Sequence, residues 1–170
     1  SALNITIDTS APSAPTVAAI TDDTGTASDG ITSDNQLVIT GTAEANASVE
    51  VFIDAGSIGT TTADGSGNWS YDHSGNTLAD GGYAITAAAT DASGNTSATS
   101  SALNITVDTA APSAPTVAAI TDDTGTASDG ITSDNQLIIT GTAEANASVE
   151  VFIDAGSIGT ATADGSGNWS

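Results

Sequence analysis

The chain repeats itself with a period of 100 residues. Residues 1–70 align with residues 101–170 without a gap and differ at only four positions: Ile7/Val107, Ser10/Ala110, Val38/Ile138 and Thr61/Ala161. A period of this length is about the size of an independent domain and is longer than the repeats of solenoid proteins. The sequence therefore predicts separate domains in tandem.

Proline-rich segments mark the predicted domain boundaries. Residues 110–115 and their copy at residues 10–15 each hold two prolines and lack the alternation of a strand, which is typical of a short, stiff linker. We therefore predict a complete domain at residues 10–109. Residues 1–9 are then the last strand of a preceding repeat. Residues 110–170 form part of a following domain that lacks its final strands, so we expect the chain to be a section of a longer protein.

Each repeat has the pattern of an all-β domain. Short runs of alternating apolar and polar residues are separated by Gly, Asp, Asn and Ser, and helical periodicity is missing. Seven such strands in one repeat predict an immunoglobulin-like, Greek-key β-sandwich. The predicted strands are Thr16–Ile20, Gln36–Thr42, Ser48–Asp54, Ser57–Ala63, Asn68–Asp72, Gly82–Thr90 and Ala102–Asp108.

Two aromatic residues sharpen this prediction. Trp69 is the one large side chain expected in the core of the complete domain. Tyr83 follows the turn Leu78–Gly82 at the start of a strand, where a tyrosine corner would place its hydroxyl on upstream backbone. Many other inward positions are alanine, so burial of apolar area alone leaves each domain marginally stable.

The charge of the chain has one sign only. Its 21 acidic residues face no Lys or Arg and a single His, which gives a net charge of −21 at pH 7. Such a chain excludes nucleic acid and anionic membrane surfaces as partners, and no apolar run is long enough to insert into a bilayer. Cysteine is absent, so disulfides and thiolate sites are excluded as well. Repulsion between these carboxylates opposes folding, so we expect divalent cations to bind the folded chain and neutralise part of its charge.

The first predicted cation site lies at the N-terminal pole of the domain, where the chain enters the sandwich. Asp8 precedes the linker, Glu44 follows the second strand, and Asp91 and Asn95 lie in the loop 91–95. Carboxylate, amide and carbonyl oxygens are the ligands that calcium prefers. Since Asp8 ends the preceding strand, such an ion would join two domains. At the next junction the corresponding residues are Asp108 and Glu144.

The second predicted site is an acidic loop, residues 21–34, at the C-terminal pole, where the chain leaves the sandwich. Its glycines permit tight turns, and its spacing is not that of an EF-hand. The predicted calcium ligands are Asp22, Asp23, Asp29 and Asp34, with Asp122, Asp123, Asp129 and Asp134 in the second copy. Magnesium gives up water reluctantly, and zinc would require His or Cys, so calcium is the predicted ion.

A plain structural role competes with each ligand assignment, because aspartate is a favoured turn residue. We assign Asp54, Asp64, Asp72 and Asp80 to turns. For the two clusters of acids at the N-terminal and C-terminal poles, calcium binding is the better explanation.

Several motifs together resemble the bacterial immunoglobulin-like repeats of giant Gram-negative adhesins. They are Ile105-Thr-Val-Asp-Thr109 with Pro112, Thr21-Asp-Asp-Thr-Gly25, Ile31-Thr-Ser-Asp34, Gly67-Asn-Trp69 and Asp91-Ala-Ser-Gly-Asn95. The chain is similar to the extender regions of type I-secreted RTX adhesins and biofilm-associated proteins. The resemblance implies calcium at domain junctions and neighbouring repeats of the same chain as partners. It also implies an extracellular position on the bacterial surface, anchored in the outer membrane through another part of the protein. Other domains would bind the distal receptor or surface.

Two other functions stay open at this point. A ligand-binding module, for carbohydrate or a receptor, would need exposed aromatic residues, and only Tyr71 and Phe52 are candidates. An enzyme would need a catalytic constellation, but His73 has no nucleophile placed beside it by any motif, so we predict an exposed turn histidine and no enzyme.

Overall fold

The computed structural model describes residues 3–121, 123–126 and 129–170. The chain divides into two compact units, Ser1–Ala110 and Ala111–Ser170, called here unit 1 and unit 2. Within the described ranges, no helix is long and apolar enough to cross a membrane.

Unit 1 is built from two antiparallel sheets, with one parallel pair at an edge. The first sheet has the order β1-β3-β6 and the second the order β2-β8-β7-β4-β5. The strands are β1 Thr16–Ile20, β2 Ile31–Thr32, β3 Val38–Thr42, β4 Ser48–Ile53, β5 Gly56–Thr62, β6 Asn68–Asp72, β7 Gly81–Thr90 and β8 Leu103–Val107.

The core of unit 1 lies between these sheets. Ile39 and Trp69 come from the first sheet, and Val51, Ile85 and Ile105 come from the second; all belong to one buried apolar cluster. Successive side chains of a strand point to opposite faces, so the alternating residues of the sequence supply one inward face for each sheet. This confirms the predicted all-β sandwich.

Each of the seven predicted strands of this domain is present, with its ends within two residues of the prediction. One further strand, β2, was not predicted. It pairs in parallel with β8, through the registers Ile31↔Thr106 and Thr32↔Val107. The acidic loop is therefore joined to the last strand of the domain.

Tyr83 forms the predicted tyrosine corner. Its hydroxyl donates a hydrogen bond of 2.9 Å to the carbonyl oxygen of Ala79. This bond fixes the turn that leads into β7.

The prediction that His73 is an exposed turn residue was wrong. His73 is only 7% exposed, its backbone N–H donates to the carbonyl of Leu37 at 2.9 Å, and its ring centroid lies 6.2 Å from that of Tyr71. The segment after β6 continues alongside the segment before β3, because Leu78 N–H also donates to Asn35 O. This continued pairing covers the imidazole, which no alternation in the sequence indicated.

Unit 2 contains two small sheets of orders β13-β10-β9 and β11-β12. Its buried cluster consists of Val149, Ala163 and Trp169. The strands are β9 Thr116–Ile120, β10 Ile139–Thr142, β11 Ser148–Ile153, β12 Gly156–Thr162 and β13 Asn168–Trp169.

Residues 3–9 form no strand within unit 1, and the side chains of Leu3, Ile5 and Ile7 are exposed. Their predicted place as the last strand of a preceding repeat concerns another domain and stays a prediction.

Candidate metal centres

The structure brings Asp8 to the loop 91–95 at the N-terminal pole. The Nδ2 group of Asn95 donates to the carbonyl oxygen of Asp8 at 3.3 Å and to Oδ2 of Asp91 at 2.8 Å. The Ser93 hydroxyl donates to Oδ2 of Asp8 at 3.4 Å. Three of the predicted ligands at this pole, Asp8, Asp91 and Asn95, are therefore neighbours, although Asp8 is more than eighty residues away in sequence.

Asp91 organises the loop that carries it. Its Oδ1 accepts the backbone N–H groups of Ser93 and Asn95, each at 2.8 Å. The side-chain hydrogen bond from Asn95, followed by these backbone N–H donors, lowers the pKa of Asp91 below its ordinary value. The ionised form is thus the one that the loop stabilises.

The other predicted ligands of the domain junctions have simpler surroundings. Glu44 is exposed, and among the described residues it contributes its carbonyl oxygen, which accepts the Ala47 N–H at 3.0 Å. Glu144 makes the same bond to Ala147 in unit 2, also at 3.0 Å. Asp108 directly follows β8, and its Oδ1 accepts the Ala110 N–H at 3.0 Å. The structure does not bring the Glu44 carboxylate into the network of Asp8 and Asp91.

A buried threonine holds the acidic loop at the C-terminal pole. Thr32 is 1% exposed, and its hydroxyl donates to the carbonyl oxygen of Asp22 at 2.8 Å while accepting the Asp34 N–H at 3.0 Å. Asp22 has a φ of 61°, and Gly25 and Gly30 have φ values of 82° and 76°. Such left-handed backbone favours glycine, which explains two of the glycines in this loop.

Asp23 differs from the other acids of this loop, because a role in a turn does not explain the burial of its carboxylate. Its Oδ2 accepts the Ser28 N–H at 2.6 Å, whereas Oδ1 is buried and has no hydrogen-bond partner. Asp23 also lines a cavity of about 180 Å³ between the loop and the sandwich, beside Ile20, Leu103 and Ile105. A buried carboxylate oxygen without a donor costs free energy, so this oxygen is the position where a cation would be stabilising.

Asp29 and Asp34 form ordinary aspartate turns. Each Oδ1 accepts the backbone N–H two residues ahead, of Ile31 and of Gln36, both at 2.9 Å. Asp129 and Asp134 repeat these bonds in unit 2 at 2.9 and 3.0 Å. Asp123 is half-buried there, and Asp122 lies outside the described residues.

Within the ranges that the structure describes, no three His, Asp or Glu side chains come together as a group that could hold a metal ion. Any ion at either pole would therefore draw on amide and carbonyl oxygens in addition to carboxylates. Every residue of the two predicted sites stays a predicted ligand.

Two aspartates that we had assigned to turns connect distant segments. Asp80 Oδ1 accepts both the backbone N–H and the hydroxyl of Thr109, at 3.0 and 2.8 Å, and so fixes the start of the linker. Asp54 Oδ1 accepts the Ala84 N–H at 2.9 Å. Both contacts span about thirty residues, and no local motif indicates either of them. Asp64 and Asp72, by contrast, do bond to the backbone of their own turns.

Comparison with known proteins identifies the type of domain. The family model described as a bacterial Ig-like domain matches residues 10–109 and again residues 111–170. No curated protein was found to be similar to the chain.

Eight chains of solved structures are similar to it. One is described by the words "Structural insight into host cell surface retention of a 1.5-MDa bacterial ice-binding adhesin". It is 25% identical, with a TM-score of 0.45, and the alignment covers 94% of this chain and 52% of that one. The present chain thus spans about half the length of that solved chain.

Proposed function

Because the chain belongs to the bacterial Ig-like domain family, we propose that it is a spacer in a bacterial cell-surface adhesin, stiffened by calcium bound in its loops and at its domain junctions. In this function the sandwich domains separate the cell from a distal binding domain during adhesion or biofilm formation. The partners of each domain are its neighbouring repeats.

The contact between Asp8 and the loop 91–95 carries this proposal. Asn95 bonds to both Asp8 and Asp91, which lie on opposite sides of the complete domain in sequence. Asp8 lies two residues before the start of the linker at residues 10–15. A cation held by these oxygens would therefore oppose bending of the chain at the place where the domain begins.

The residues of the acidic loop also fit a divalent cation. Asp23 keeps one buried carboxylate oxygen without a partner, and the chain has no Lys or Arg that could supply the opposite charge. Asp23, with Asp22 and backbone carbonyls of the loop, would hold the ion. The ion would supply positive charge and oxygen coordination, while the chain itself positions the loop through Thr32 and joins it to β8 through β2.

The size of the expected effect follows from mass action. Extracellular calcium modules have dissociation constants of about 10⁻⁴ to 10⁻³ M. Free calcium tenfold above such a constant stabilises the folded state by about 1.4 kcal/mol for each site. Two sites in a domain with an alanine-rich core would raise its melting temperature measurably.

Thermal unfolding of the chain in calcium, in magnesium and in chelator tests the proposal. We expect the highest melting temperature in calcium and nearly equal values in magnesium and chelator. Small-angle scattering should show a narrower distribution of conformations in calcium. A melting temperature that is indifferent to chelation would contradict the calcium part, and an antibody against the chain that fails to label intact source cells would contradict the surface location.

Neither alternative function gains support from particular residues. Tyr71, a candidate for a ligand platform, is half-buried against the core, and its hydroxyl donates to the carbonyl of Ile58. Phe52 is half-buried as well. His73, the one imidazole in the sequence, lies buried beside Asn76.

A further inference from the structure

Aspartate is followed by glycine at three places in the complete domain: Asp29-Gly30, Asp64-Gly65 and Asp80-Gly81. Such a pair is chemically labile, because a glycine has no side chain to keep its backbone nitrogen away from the carboxyl carbon of the preceding aspartate. All three aspartates are exposed, so access of water does not distinguish them. Their hydrogen bonds do.

The carboxylates of Asp64 and Asp80 are each held by two donors. Asp64 Oδ1 accepts the backbone N–H groups of Ser66 and Asn68, at 2.8 and 2.9 Å. Asp80 Oδ1 accepts the backbone N–H and the hydroxyl of Thr109, at 3.0 and 2.8 Å. Rotation of either side chain towards the following backbone nitrogen therefore breaks two hydrogen bonds.

Asp29 is held less firmly. Its Oδ1 accepts a single N–H, that of Ile31 at 2.9 Å. Its own N–H makes a long bond of 3.4 Å to the carbonyl oxygen of Thr26. Within the described part of the chain, the Gly30 N–H donates to no partner. The carboxyl group and the nitrogen that can react with it are thus both less constrained here than at the other two pairs.

We propose that Asp29-Gly30 is a modification site at which the folded chain undergoes spontaneous isomerisation of aspartate. The Gly30 nitrogen forms a bond to Cγ of Asp29, while the carboxyl hydroxyl and the amide proton leave together as one water. Water then opens the resulting five-membered succinimide at the main-chain carbonyl carbon of residue 29. The product is isoaspartate, which has the same mass and charge as aspartate but a main chain that is one carbon longer.

This modification acts on the connection between the acidic loop and the last strand. The carbonyl oxygen of Gly30 accepts the Thr106 N–H at 2.7 Å, and β2 begins at the next residue. An additional main-chain carbon directly before Gly30 displaces that acceptor. It also removes the bond from Asp29 Oδ1 to Ile31, because Cγ has become part of the main chain. Isomerisation therefore loosens the pairing of β2 with β8.

Peptide mapping of the aged 170-residue chain tests the site. The chain is incubated at pH 7.4 and 37 °C in chelator, folded or in 8 M urea, and electron-transfer fragmentation of peptic peptides distinguishes isoaspartate from aspartate. Peptides that include Val38 or Thr61 belong to unit 1, since unit 2 has Ile138 and Ala161 at these positions. Dividing the folded rate by the rate in urea isolates the effect of the fold. We expect this ratio to be about fivefold higher at Asp29 than at Asp64 or Asp80, which have one more hydrogen bond to break.

Asp29→Glu is the matched control. It keeps the charge, but its cyclisation would require a six-membered ring, which forms much more slowly. Nuclear magnetic resonance then measures hydrogen exchange of the Thr106 amide, which donates to Gly30. The aged parent chain should contain a faster-exchanging population in proportion to its isoaspartate, whereas the aged variant should contain none.

Two results would overturn the proposal. One is a ratio of folded to unfolded rates at Asp29 that is no higher than the ratios at Asp64 and Asp80. The other is isoaspartate at residue 29 with unchanged exchange of the Thr106 amide, which would remove the effect on β2 and β8. Because chelator is present throughout, neither result bears on the proposed calcium sites.

Discussion

The indole ring of Trp69 lies directly against Gly41, its cross-strand partner between β3 and β6. A Cβ atom at residue 41 would lie 2.5 Å from Cζ2 and 2.7 Å from Cε2 of Trp69, and it would also meet the backbone carbonyl of Thr16. Gly141 and Trp169 repeat this arrangement in unit 2. The large core residue of each repeat is thus accommodated by a missing side chain on the neighbouring strand.

We therefore expect Gly41→Ala to lower the free energy of unfolding of unit 1 by about 3 kcal/mol, at the upper end of ordinary overpacking, because a backbone atom blocks relaxation on one side. Urea denaturation followed by tryptophan fluorescence measures this change, in a Trp169→Phe background so that Trp69 is the one emitting tryptophan. Gly65→Ala is the matched control, since a Cβ there meets nothing within 4 Å. Equal stability of the two variants would contradict this account of the core.

The tyrosine corner gives a second expected change. Tyr83→Phe removes the hydrogen bond to the Ala79 carbonyl and should lower the free energy of unfolding by about 1 kcal/mol. The ring still packs against the core, so the circular dichroism spectrum should stay unchanged. If the variant were as stable as the parent, the hydrogen bond from Tyr83 would make no net contribution to the free energy of unfolding.

Asp23 should show an effect whose sign depends on calcium. In chelator, Asp23→Asn removes a buried, unpartnered negative oxygen, so the variant should be at least as stable as the parent. In calcium, the variant should lose the stabilisation of about 1.4 kcal/mol expected at tenfold the dissociation constant.

Melting curves of Asp23→Asn under both conditions check this prediction. Glu50→Gln makes the same charge change on β4, where the carboxylate accepts a bond from the Ser57 hydroxyl, and it should keep the calcium response. If both variants lost that response equally, general charge neutralisation would replace a specific site as the explanation.

The pH dependence follows from the carboxylates with lowered pKa values. In Asp64, Asp80 and Asp91, hydrogen-bond donors hold the pKa below its ordinary value of 3.8. A carboxyl whose pKa is lower in the folded state contributes stability that is complete above the ordinary value and is lost as the pH falls through the folded value. Repulsion acts in the opposite direction, because the net charge of −21 at pH 7 shrinks as carboxylates are protonated.

In chelator we therefore expect the free energy of unfolding to rise as the pH is lowered from 7 to about 4, and to decrease at more acidic pH. Urea denaturation between pH 2 and pH 8 measures the profile. Asp80→Asn, which replaces the carboxylate that Thr109 bonds, should make the acid limb shallower. A flat profile below pH 4 would contradict a stabilising role for these hydrogen bonds.

The sequence predicted the strands well because alternation and turn residues are local signals. Val49 and Val51 flank Glu50, Leu37 and Ile39 flank the half-buried Val38, and the four flanking residues are fully buried. Strand β2 escaped prediction because it is two residues long, lies in an acidic loop, and pairs with residues that are 75 positions away, as in Ile31↔Thr106. His73 escaped for a related reason, since non-local pairing with the segment before β3 buries it.

For the candidate sites, the sequence predicted which segments of the chain come together, but not how their side chains are oriented. The order of strands sufficed to expect Asp8 near the loop 91–95, and the structure places them together. The order of strands could not show that Asp29 and Asp34 accept hydrogen bonds from nearby backbone N–H groups, while one oxygen of Asp23 has no partner. These side-chain orientations depend on dihedral angles that the spacing of the acids does not determine.

The parallel pairing of β2 with β8 determines how unit 1 responds to mechanical load. Thr106 N–H and Asp108 N–H donate to the carbonyls of Gly30 and Thr32 at 2.7 and 2.9 Å, at the point where the chain leaves the sandwich. A pull on the linker acts along β8, so these bonds and those to β7 are strained in shear and must break together, not one by one from an end. The acidic loop is therefore joined to the last strand of unit 1 by backbone hydrogen bonds that resist a pull along that strand.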